Sequence, residues 1–146
     1  MSEWAMGEAK AKTPWHLWVV GVLSFLWNAS GAWVIMSAQS GAAMDMDAGE
    51  IAYYAAQAPW FVALVDVVLI SAILAAIALL LRSRRAVHLY ALSIAGIVVT
   101  GAYDSAVGTA LLLHDQGWLI LELVTLGLAI LQLVYALAMR KRGVLR

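Results

Sequence analysis

The 146-residue chain has no cysteine, only two prolines and two phenylalanines, and charges on just 12% of its residues. Without cysteine there is no disulfide framework, thiolate zinc site, iron–sulfur cluster or cysteine nucleophile. No glycine-rich phosphate loop, nucleophile elbow or paired-histidine helix motif occurs either, so the chain offers no signature of an enzyme and no cofactor. Soluble domains are about 25% charged and about 45–50% apolar. Here 64% of residues are hydrophobic and the mean hydropathy is +0.88, which excludes an ordinary soluble domain, a disordered chain and a coiled coil. The formal net charge is zero, and the short basic stretch Arg140–Arg142 is too small to argue for nucleic acid.

The hydrophobic residues are gathered into four runs. A membrane-spanning helix needs about 20 mostly apolar residues. Residues 15–37, 57–81, 86–109 and 117–139 each meet that length. Helices are required because lipid leaves backbone polar groups no external partner, and the runs are too long for tilted barrel strands. The expected fold is all-α: one domain spanning 1–146, an antiparallel four-helix bundle integral to the membrane. The first run exceeds the 7–15 residues of a signal-peptide core, so it reads as a retained helix. The four-residue basic turn Arg82-Ser-Arg-Arg85 makes the second and third helices antiparallel neighbours. In the long connection before the second span, Asp47-Ala-Gly-Glu50 has capping-box spacing, which predicts a short surface helix over 48–56. Pro59 suits a first helical turn.

Lysine and arginine are absent from the first and third connections. All nine lie in the segment before the first span, in the second connection, or after the fourth span. The positive-inside bias then puts both termini in the cytoplasm. Seven of the nine acids fall in the membrane or on the outer side: Asp45, Asp47, Glu50, Asp66, Asp104, Asp115 and Glu122. At 1.5 Å per residue, Asp66 lies ~12 Å inside the outer boundary, and Asp104 and Glu122 lie ~8 Å inside it. Asn28 lies ~20 Å from the cytoplasmic edge. A carboxylate at the centre of a span costs about 2.5–3.5 kcal/mol, and no cation within a helix offsets it. These acids must be protonated, hydrated, hydrogen-bonded or bound to a cation.

Small and polar residues form stripes at helical spacing: Gly21, Ser24, Asn28 and Gly31 in the first helix, Ser93, Gly96, Thr100 and Asp104 in the third, and Glu122, Thr125, Ala129 and Gln132 in the fourth. In membranes such residues mark helix–helix contacts. The functional expectation is an outward-open cup lined by Asn28, Asp66, Asp104, Glu122, Tyr103 and Trp33, binding a small polar solute or a cation. His114, with Asp104 and Glu122, is a weaker candidate for a metal site. Met36, Met44 and Met46 read as apolar contact rather than a copper motif.

Three segments carry a resemblance. The run from Thr13 to Ala32 (TPWHLWVVGVLSFLWNASGA), the run from Leu80 to Ser93 (LLRSRRAVHLYALS) and the closing Arg142–Arg146 (RGVLR) resemble a family of small four-helix bacterial inner-membrane proteins whose members carry the label "sugar transporter". The resemblance implies a multi-pass protein of the bacterial inner membrane and a small polar solute as ligand, and it brings no established mechanism. Trp27, Asn28, Gly31 and Ala32 fall on its motif. Family members often have Asp-Tyr shortly after this stretch, where this chain has Val34 and Ile35. The alternative expectation is an accessory or assembly subunit of a larger membrane complex with a structural role, which the striped small residues and modest loops favour. Transport would require a homo-oligomer, because four helices rarely form two gates alone.

Overall fold

The computed structural model describes residues 12–113 and 116–146. Among them it is entirely helical: α1 (Trp15–Gln39), α2 (Ala48–Ala56), α3 (Pro59–Leu80), α4 (Arg85–Val107) and α5 (Gln116–Lys141), with a 3-10 turn at Thr109–Leu113 between the last two. α1, α3, α4 and α5 are long and apolar enough to cross a membrane. The expected spans thus recur as helices, with ends moved by two or three residues at most. The largest change is after α4. Gly108, at φ +73, stops the α-helix, and the chain continues as a 3-10 turn.

Local chemistry explains the boundaries. α2 begins in a complete capping box: Glu50 N–H donates to Asp47 Oδ1 at 2.8 Å, and Asp47 N–H donates to Glu50 Oε2 at 2.9 Å. Pro59 opens α3, where its missing N–H costs nothing. α3 ends on Arg82, a non-glycine residue held left-handed at φ +56. Ser83 N–H closes onto Ala78 O at 2.8 Å and Arg82 N–H onto Leu79 O at 2.9 Å, a Schellman arrangement. α5 ends the same way on Gly143, at φ +70, with Val144 N–H on Met139 O at 3.0 Å.

α1 packs on α3, α3 on α4 and α4 on α5, each antiparallel to its neighbour. The Arg82 guanidinium donates to Thr13 Oγ1 at 2.7 Å, fixing the end of α3 beside the start of α1. α1 and α5 are joined through side chains: Asn28 Nδ2 donates to Gln132 Oε1 at 3.3 Å, and His16 Nδ1 lies 2.6 Å from the Tyr135 hydroxyl. The α3–α4 seam is the closest. At Gly96 a methyl group would collide with the Val68 side chain, and at Gly21 one would collide with Leu80 across the α1–α3 seam. These glycines let the backbones approach, as small residues do in membrane bundles.

The packing is uneven along the bundle. The core of Leu17, Leu79, Tyr90, Ala136 and Met139 gathers at the end that bears the arginines. The residues after α5 fold back to seal it, burying Val144 and Leu145. At the other end α5 is largely exposed: Leu119, Ile120, Leu121 and Leu123 all present at least half their surface. A row of this kind suits lipid and would be untenable in water.

Serine and threonine hydroxyls within the spans complete their own helices. Ser71 donates to Val68 O at 2.7 Å, Thr100 to Gly96 O at 2.9 Å and Ser105 to Gly101 O at 2.8 Å. Gly96→Val should destabilise the bundle by about 1–3 kcal/mol through overpacking, and Val68→Ala in the same chain should recover much of that. Thermal unfolding in detergent reads both. An unchanged single variant would refute the tight seam.

Candidate functional site

The expected cup divides into separate places. Asp104 stands near the C-terminal end of α4, and the Tyr53 hydroxyl of α2 donates to its Oδ2 at 2.6 Å. Tyr53 is 4% exposed, and its ring leans on Tyr54 and on Trp118 of α5. α2 is positioned for this by its capping box and by Gly49, which rests against the Leu112 carbonyl of the 3-10 turn. A Cβ at Gly49 would stand 2.6 Å from that oxygen.

Glu122 comes to the same part of α4 from α5. Its Oε1 occupies the space above Gly101, 2.7 Å from where a Cβ would be. Gly101 and Asp104 are one turn apart on one helix face, a spacing that puts Cβ positions roughly 5–6 Å apart. The fold therefore brings Asp104 and Glu122 into one patch, roofed by Tyr53. Every described lysine and arginine is at the other end of the bundle.

The other expected site residues lie elsewhere. Asn28 points to α5 and bonds Gln132. Tyr103, one residue from Asp104 but turned about 100° around the helix, meets Trp60 edge to face at 4.7 Å and Phe61 at 5.1 Å. Trp33 is 77% exposed and lines, with Met36 and Ser37, an open groove of about 530 Å³ along α1. Asp66 shares one flank of α3 with Ile73 and Leu80, each seven residues on. Leu80 abuts Gly21, so that flank looks toward α1 rather than toward Glu122. Asp66 Oδ1 is buried and has no hydrogen-bond partner among the described residues.

His114 lies outside the described residues, so the metal expectation rests there on a side chain the structure does not place. Among the described residues no group of three or more histidines and carboxylates is close enough to hold a metal ion. His16 pairs with Tyr135. Tyr53 is not among the site residues that the sequence singles out. Its one signal was its place in a capped helix long enough to fold back over the bundle.

No family model matches the chain, and comparison with curated proteins and with solved structures finds no match. The resemblance described above therefore rests on its quoted segments alone.

Burial raises the Tyr53 pKa first, and the hydrogen bond and charge of Asp104 raise it further. Tyr54 is also raised, by burial and then by Glu50. A tyrosine whose folded pKa exceeds its unfolded value near 10 lends stability that is complete below pH 10 and is lost as pH rises beyond it. Tyr53→Phe should cost about 1.5–3 kcal/mol, the range for a hydrogen bond to a charged group. The gap from wild type should be constant between pH 7 and 9 and should shrink above pH 10. Melting in detergent across that range tests it, and a pH-independent gap would remove the Tyr53 hydroxyl from the account.

Proposed function

We propose that the chain is a multi-pass protein of the bacterial inner membrane, both termini in the cytoplasm, that binds a cation at the outward-facing Asp104–Glu122 pair. The observation that carries this reading is two carboxylates on facing helices, one bonded by Tyr53 and the other seated over Gly101, with no lysine or arginine of the described residues beside them. A cation bound at this patch would supply the positive charge that the described residues around it do not. Oxygen donors of this kind suit hard cations. The expectation of a sugar-sized solute is less well supported, because Asn28, Asp66 and Trp33 do not join the pair.

The orientation rests on the segregation of charge, with lysines and arginines at one end and the acids toward the other. The absence of cysteine makes it directly testable. Ser40→Cys should react in intact cells with a membrane-impermeant maleimide, and Arg142→Cys should react only after lysis. The reverse pattern overturns the orientation.

Binding is tested on the full chain in detergent, melted with sodium, potassium, magnesium, calcium or manganese against choline. A cation at a hundred times its Kd stabilises by about 2.7 kcal/mol. One cation should therefore raise the melting temperature of wild type, and Asp104→Asn and Glu122→Gln should each abolish the shift. No shift with any of the five, or an equal shift in both variants, would end the cation reading. The accessory-subunit reading draws on the exposed outer half of α5. Recovery of a lone, unassociated chain from mild detergent extracts would count against it.

A further inference from the structure

At the end of the bundle opposite Asp104, the residues after α5 do not trail. Gly143 turns the chain, Val144 and Leu145 are 4% and 0% exposed, and the backbone then pairs with the α3–α4 turn. Arg146 N–H donates to Arg82 O at 2.7 Å, Arg84 N–H donates to Arg146 O at 2.9 Å, and Arg84 Nε reaches Leu145 O at 3.4 Å. These bonds fix Arg84 and Arg146 side by side, with Arg85 following on the turn and Arg142 on the approach. Arg84, Arg85, Arg142 and Arg146 are all exposed, and no Asp or Glu side chain of the described residues lies at this end.

The cluster stands immediately beyond the apolar stretches of α3, α4 and α5, the depth at which a leaflet carries its phosphates. Trp15 and Trp18, 76% and 52% exposed, ring the same end as interfacial aromatics do. Four guanidiniums on a fixed backbone offer paired donors matched to phosphate oxygens. Basic pockets of this kind at the ends of spanning helices suit doubly phosphorylated headgroups. We propose that the folded segment Arg142–Arg146 and the Arg84–Arg85 turn form a binding site for an anionic phospholipid, with preference for a headgroup bearing two phosphates. Fixed geometry separates this site from a diffuse orienting charge: the segment must be folded, not merely basic.

The experiment melts the full chain in detergent with added cardiolipin, phosphatidylglycerol, phosphatidylcholine or inorganic pyrophosphate, with lipid retention read in parallel by native mass spectrometry. Wild type should be stabilised by cardiolipin more than by phosphatidylglycerol, and by phosphatidylcholine least. Arg84→Gln and Arg146→Gln should each weaken cardiolipin retention about fivefold. Gly143→Val keeps every cation but dislodges the segment, and it should lose the preference as well. Lys12→Gln, a cation outside the site, should retain lipid as wild type does. Three results would overturn the proposal: equal stabilisation by all three lipids, equal loss in Lys12→Gln, or pyrophosphate stabilising as well as cardiolipin, which would mark a free-anion site. Arg146→Gln removes none of the bonds that close the segment, so a folding failure of Gly143→Val does not blunt the test.

Discussion

In lipid, a peptide group has no partner but its own chain, and that requirement governs everything else in this molecule. It makes each apolar run a helix, forces helix ends to close on themselves or on neighbours, and leaves side chains little to do but pack. The serines and threonines within the spans illustrate the point. Ser71, Thr100 and Ser105 return their hydroxyls to their own helices. The closures at Arg82 and Gly143 follow from it too, since each recaptures carbonyls that would otherwise face the edge of the hydrocarbon.

The two ends of the bundle solve different problems. The arginine-bearing end is tightly cored and sealed by a folded segment, so its cations stand on fixed supports. The opposite end is looser, with α5 held beside α4 and α2 laid across as a cover. A carboxylate pair is tolerable there because α2 supplies the Tyr53 hydroxyl and Gly101 supplies room. The bundle is thus tightly cored at one end and open at the other.

Asp66 is the acid that fits this division least well. It sits deeper than the pair, looks toward α1, and leaves one oxygen buried without a partner among the described residues. Such a group is costly to leave unmade.

Spans, the surface helix at 48–56 and the segregation of charge were legible in the sequence because each depends on local chemistry: run length, capping spacing, and where lysine and arginine are allowed. The grouping of the site was not. Asn28, Asp66, Asp104 and Glu122 lie at similar depths, and depth is a one-dimensional quantity that a sequence yields directly. Which helix flank meets which neighbour is a rotation, and it was decided by contacts across many residues: Gly96 against Val68, Gly21 against Leu80, and Gln132 reaching Asn28. That rotation sent Asn28 to α5 and Asp66 toward α1, and left Asp104 and Glu122 together under Tyr53. The folding back of Arg142–Arg146 was likewise invisible, because five residues with three cations or glycines read as a loose basic tail until Val144 and Leu145 find the core. The sequence by itself determined that this chain enters lipid and where its charges must stop. The tertiary structure decided which polar groups meet, because meeting depends on the angles between helices, and those are set by packing rather than by order along the chain.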